Sequence, residues 1–280
     1  MPLYYQFSFL LIVYYIILLF LVNNILNEEN SIKSKKIHLV EGGSLEIIEN
    51  KDKSIEINTK SGKIYKSQIL ILVIPGGGYV NLQPKEELPV AEKFLSFGYS
   101  CAILKYSVHP KCYPIEYNQG LKAIKLLSSR FKKIILMGFS AGGHLSALLG
   151  TTEREKLFNA VGMVLCYPVI SFVNKVHKGS RDNFFGDKNK NNKENRKRFS
   201  IENRVNPNTL PTFIWTCKPD TLVPYENTLF MIKKLEENKV FHTSIIFKTG
   251  RHGIVLAEKN KEVSKWIKLA CDFVDKIVKN

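Results

Sequence analysis

The sequence predicts an α/β fold: a mostly parallel central sheet with helices on both faces. Two observations carry this. From about residue 69 onward, short apolar runs alternate with longer segments whose apolar residues recur at helical spacing. The run Ile69 to Ile74 is apolar at every position, as expected of a strand covered on both faces rather than on one.

Taken in chain order, the elements follow from local chemistry. Leu45-Glu46-Ile47-Ile48 and Ser54-Ile55-Glu56-Ile57 alternate near Gly42-Gly43 and Ser61-Gly62, and read as a pair of antiparallel hairpin strands. After the Ile69 to Ile74 strand, Glu86 to Phe97 reads as a helix ended by Gly98, and Tyr99 to Leu104 as the next strand. Ile115 to Arg130 places Leu121, Ile124 and Leu127 on one helical face. Ile134 to Met137, Val161 to Tyr167, Thr212 to Cys217 and Thr243 to Phe247 are further strands. Tyr225 to Asn238 and Glu258 to Val278 are helices. The segment 171–208 breaks the alternation. It is rich in Asn and Lys, shows little periodicity and leaves from the end of a strand, so it reads as a lid-like insertion beside a ligand site.

The chain has 280 residues, enough for one large domain, and 45% hydrophobic with 24% charged residues is the composition of a globular protein. Its net charge is +16, mostly from lysines spread along the chain. The densest basic run, Lys188 to Arg198, contains no aromatic residue on which a base could stack, so no nucleic-acid partner is expected. The five cysteines follow no metal-ligand spacing and suggest no disulfide framework. No metal and no organic cofactor is expected.

Residues 3–22 are almost wholly apolar and uncharged, long enough to span a bilayer. No basic residue precedes them and no small-residue cleavage site follows, so an uncleaved anchor is the expectation, with membrane association through this segment. Lys33, Lys35 and Lys36 place the rest of the chain on the cytoplasmic face. The alternative is a cleaved signal and a secreted protein. The expected organisation is the apolar segment 1–22, a linker 23–36 and a catalytic domain 37–280.

Chemistry enters at Gly138-Phe139-Ser140-Ala141-Gly142, which follows an apolar run and precedes a small-residue segment. This is the form of a nucleophile elbow, a sharp strand-to-helix turn that lifts a serine hydroxyl out of the sheet. A serine needs a base, and the base an orienting acid, arriving in the order Ser, acid, His on such a sheet. His252 lies in Gly250-Arg251-His252-Gly253, directly after the last strand, at the same sheet edge as the serine. His242 precedes that strand, His177 lies in the insertion, and His144 is taken as structural. Asp220 follows the Thr212 to Cys217 strand, with Glu226 as competitor. The expected oxyanion donors are the backbone N–H groups of Ala141 and of Gly77 and Gly78 in Pro75-Gly76-Gly77-Gly78-Tyr79. That loop lacks the Gly-Lys-Ser/Thr and Gly-x-Gly-x-x-Gly patterns of nucleotide sites. Tyr79, Phe184 and Phe185 are expected to contact the substrate.

These residues together resemble the α/β-hydrolases, specifically the acetyl-esterase-like, xylan-esterase-related (BD-FAE-like) group. The likeness spans roughly 64–277. It includes Pro75 to Tyr79, Leu104-Lys105-Tyr106, Met137 to Leu145 and Ser180 to Gly186. It also includes Pro211-Thr212-Phe213 and Asp220-x-x-Val223-Pro224 with Glu226-Asn227. Pro75 stands where many relatives carry histidine. The resemblance implies a Ser140, Asp220, His252 triad and a short-chain, acetyl-like carboxylic ester as substrate. A small peptidase or amidase on the same scaffold, and an inactive membrane-anchored binding protein, are the alternatives.

Overall fold

The computed structural model describes residues 34–279. Its main sheet has eight strands: β1 (Ser34–His38), β2 (Ser44–Ile48), β5 (Ile69–Ile74), β6 (Ser100–Lys105), β7 (Lys133–Phe139), β8 (Ala160–Cys166), β9 (Thr212–Cys217) and β10 (His242–Phe247). The order across the sheet is β1-β2-β6-β5-β7-β8-β9-β10. β6, β5, β7, β8, β9 and β10 run parallel, and β2 is antiparallel to β6. From β5 the chain grows first toward β6 and then returns past β5 to β7. The connections leaving β5 and β7 therefore diverge and open a crevice at their C-terminal ends.

Alternation along the strands builds two cores. Leu70, Leu72 and Ile74 face a layer with α2 (Ile115–Ser128), α3 (Ala141–Gly150) and α6 (Glu226–Glu237). Ile69, Ile71 and Val73 face the opposite layer, with α1 (Leu88–Leu95) and α7 (Trp266–Lys279). All six strand residues are fully buried. This is the physical reason for an unbroken apolar run: neither face of β5 meets water.

The expected hairpin does not form. β2 pairs with β6 instead, because Leu45, Ile47 and Ile48 bury completely as part of the main sheet. β3 (Glu56–Thr59) pairs with β4 (Gly62–Tyr65) in a separate two-stranded sheet, closed by the short turn at Lys60-Ser61. β1 overlaps the expected linker, and among the described residues its strand already includes Ser34.

Two helices are shorter than their sequence patterns suggest. Pro84–Glu86 forms a 3-10 turn before α1, and the Glu86 side chain turns inward instead of opening the helix. Residues 258–262 form turns and Val263–Lys265 a 3-10 turn before α7; the Asn260 carboxamide oxygen accepts the N–H groups of Glu262 and Val263. Conversely, the polar insertion is not irregular throughout. It holds α4 (Lys178–Asn189) and α5 (Lys193–Arg198), capped by the side chains of His177 and Asn192.

The apolar segment 3–22, read above as an anchor, lies outside the described residues. Among the described residues no helix is long and apolar enough to cross a membrane.

Candidate active site

The turn from β7 into α3 places Ser140 at φ 52°, ψ −117°, a left-handed conformation that projects its hydroxyl away from the sheet. The backbone is held there by three main-chain bonds: Ser140 N–H donates to Cys166, and the Ser140 carbonyl accepts from His144 and Val169. Gly142 is required by close packing, since a Cβ there would lie 2.1 Å from the carbonyl oxygen of Ile74. Only a residue without Cβ lets α3 start so near β5.

The loops after β9 and β10 bring Asp220 and His252 to the same sheet edge. His252 Nε2 lies 2.9 Å from Ser140 Oγ, and His252 Nδ1 lies 2.7 Å from Asp220 Oδ2. Asp220 Oδ1 accepts the backbone N–H groups of Leu222 and Val223 at 3.0 and 2.9 Å. Those two donors fix the carboxylate, leaving Oδ2 to accept from Nδ1. The other ring nitrogen is then the acceptor for the serine hydroxyl. The Asp220 side chain is 0% exposed and that of His252 14%, so the carboxylate is dry while the imidazole reaches the solvent side. Glu226 opens α6 and pairs with Lys175 at 3.1 Å; it is not part of this chain of bonds.

The glycine loop after β5 faces Ser140. Gly77 sits at φ +123°, and a Cβ there would collide with the Asn81 carbonyl oxygen at 2.2 Å, so the loop needs glycine. The N–H groups of Gly77, Gly78 and Ala141 make no hydrogen bond to any described residue. The Gly76 N–H is occupied: it donates to Glu86 Oε2 at 2.7 Å. The Tyr167 hydroxyl donates to Glu86 Oε1 at 2.9 Å, and the Tyr167 ring lies edge-on to His252 with centroids 4.9 Å apart. Burial pushes the Glu86 carboxyl above its ordinary pKa, and these two hydrogen bonds oppose the shift.

A cavity of about 370 Å³ opens over Ser140 and His252, lined also by Gly77, Gly78, His177 and Asn183. Tyr79, Phe184 and Phe185 do not line it, contrary to the sequence expectation. They are buried in an aromatic cluster with His144, Phe172 and Phe199. The cause is His144, which is fully buried. Its Nε2 donates to the Phe199 carbonyl at 2.8 Å, so its Nδ1 accepts from the Tyr79 hydroxyl at 2.9 Å. Burial lowers this imidazole to about 3, and it stays neutral. Tyr79 is thereby turned away from the cavity and the phenylalanines close over it.

Sequence reasoning set His177 aside as the base and gave Glu86 and Asn183 no role of their own. The signal for His177 was its place at the start of a helix, before Gly179-Ser180. For Glu86, one of two adjacent acids in Lys85-Glu86-Glu87, the sequence carries no signal that sets it apart. Among the described residues no group of three or more His, Cys, Asp or Glu is placed to hold a metal.

Known proteins share this arrangement of chain. Residues 55–235 match the model of the BD-FAE family. The chain is 31% identical over 208 residues to endo-1,4-beta-xylanase B of Butyrivibrio fibrisolvens, covering 67% of this chain and 32% of that protein. It is 29% identical over 194 residues to an acetylxylan esterase of Xylanibacter ruminicola, covering 65% and 40%. It thus spans well under half the length of either curated relative. The crystal structure of an acetyl ester-xyloside bifunctional hydrolase from Caldicellulosiruptor lactoaceticus superposes with a TM-score of 0.73 at 30% identity, covering 86% of this chain and 90% of that one. The chain has the α/β-hydrolase fold and belongs to the BD-FAE family.

Proposed function

We propose that the protein is a serine esterase that removes short, acetyl-like acyl groups through an acyl-enzyme. The observation that carries this reading is the hydrogen-bonded chain from Asp220 through His252 to Ser140, open to a cavity on the serine side.

The steps follow from the directions of those bonds. Ser140 Oγ attacks the ester carbonyl carbon as His252 Nε2 takes its proton. The carbonyl oxygen becomes an oxyanion beside the free N–H groups of Gly77, Gly78 and Ala141, the last at the positive end of α3. Asp220 stabilises the imidazolium through Nδ1–H. The intermediate collapses, the C–O bond to the alcohol breaks, and the alcohol leaves with the proton from His252. A water, deprotonated by His252, then attacks the acyl-Ser140 ester, releasing the acid and restoring the serine.

A cavity of about 370 Å³ is near the lower end of the usual range for small-molecule sites, which supports a small acyl group. The names of the relatives suggest acetylated sugars as the esters. The test is hydrolysis of acetyl, butyryl and octanoyl esters and of acetylated xylo-oligosaccharides by the purified protein. Activity is expected on the acetyl esters, with a loss of roughly 10⁶-fold in kcat for Ser140→Ala. Ser140→Ala activity within about tenfold of the parent would overturn the mechanism.

A further inference from the structure

The cavity over Ser140 contains a second imidazole that the acyl-transfer steps do not use. His177 Nδ1 accepts the backbone N–H of Ser180 at 3.2 Å and lies 2.8 Å from the Ser180 hydroxyl, closing the first turn of α4. Since Nδ1 is an acceptor, the proton of the neutral ring sits on Nε2. Burial, and next the charge of His252, push His177 below the ordinary histidine pKa, so it stays neutral while His252 holds the transferred proton. Nε2 has no hydrogen-bond partner among the described residues. The ring is also fixed relative to the glycine loop. Asn183 Nδ2 donates to the Gly78 carbonyl at 2.9 Å, and a Cβ on Gly78 would stand 3.8 Å from His177 Cε1.

A half-buried N–H donor in a substrate cavity discriminates. It favours a ligand that offers an acceptor and penalises one that leaves it unpaired. An acetyl ester has only its carbonyl oxygen on the acyl side, and the free N–H groups of Gly77, Gly78 and Ala141 are placed for that atom. Any further acceptor must belong to the alcohol part. We propose that His177 Nε2–H donates to a hydroxyl oxygen of the alcohol part, so that the site selects acyl esters of polyols, such as a sugar with a free hydroxyl beside the ester. This rests on the serine-esterase reading above.

The variant that separates the roles of His177 is His177→Asn. Asparagine keeps an acceptor for the Ser180 N–H, being a favoured helix cap, but loses the Nε2 donor. The readout is kcat/KM for a mono-acetylated xyloside against p-nitrophenyl acetate, which has no hydroxyl. His177→Asn is expected to lose roughly 10–100-fold on the xyloside while p-nitrophenyl acetate stays within about threefold of the parent. In the parent, replacing the neighbouring sugar hydroxyl by hydrogen should produce a similar loss, and the two changes together should cost no more than either alone. This substrate-side arm holds whether or not any variant folds. Equal losses on both esters, or a deoxy analogue hydrolysed as fast as the xyloside, overturn the proposal. Ser140→Ala keeps the two ideas apart. If it leaves both esters hydrolysed, the esterase reading fails; if it abolishes both and no hydroxyl preference exists, only the role of His177 fails.

Discussion

Each hydrogen bond at the sheet edge constrains the next, so single atoms have separable duties. Asp220 Oδ1 is committed to two backbone donors, and only Oδ2 is left for His252. An asparagine at 220 can keep the backbone bonds through its carbonyl oxygen, but then turns an NH₂ toward Nδ1. The imidazole answers with the opposite tautomer and can no longer accept from Ser140. Asp220→Asn is therefore expected to fold normally and to lose roughly 10⁴-fold in kcat on an acetyl ester. Adding Ser140→Ala should deepen the loss by far less than the product of the two effects, since the residues act as a unit. Steady-state kinetics check this; full activity in Asp220→Asn with a loss in Glu226→Gln would reassign the acid. The positions of Ser140, Asp220 and His252 were legible because each follows a strand, and strand ends are local features of sequence. Tyr79, Phe184 and Phe185 were misplaced because their direction depends on His144, a partner 40 or more residues away that sequence spacing does not reveal.

Among the helices, α2 contains the least compensated group in the fold. Glu116 in its first turn is buried, and neither carboxylate oxygen has a hydrogen-bond partner among the described residues. Burial raises its pKa to about 8. The same group ionises near ~4.3 in an unfolded chain, so between the two values the folded state holds a proton that the unfolded state has lost. Stability must then fall as pH rises through that window. Glu116→Gln removes the loss. Denaturant unfolding should show the variant gaining on the order of 1–3 kcal/mol relative to the parent in going from pH 4 to pH 8. A variant that loses ground over the same interval contradicts this account of α2. Strands were the most legible elements: β5 and β9 have the bounds their apolar runs suggest. Pairing was less legible, because a period of two identifies a strand but not its neighbour, as with β2. The insertion helices were missed because Phe184 and Phe185 are adjacent rather than three or four apart. Their caps and the buried aromatic cluster, not an apolar stripe, hold α4 in place.

Across the whole molecule, one topological event places the candidate site. Growth of the sheet in two directions from β5 opens the crevice where the glycine loop, the elbow and the loops after β9 and β10 meet. Elements far apart in sequence thereby bring a serine hydroxyl, an imidazole, a carboxylate and a row of free N–H groups to one sheet edge. The alternation of strands and helices announced this class of sheet, while the cavity lining depended on α4, whose docking on Gly78 is a tertiary contact. The central claim is that the folded chain activates one serine, Ser140. The most direct measurement is covalent labelling of the purified protein with a fluorophosphonate, followed by mass spectrometry of its peptides. The account predicts one phosphonate adduct per chain, on Ser140, formed in the native protein and lost in His252→Ala and after unfolding. An unlabelled native protein, or a stable adduct on any other serine with Ser140 unmodified, would contradict it.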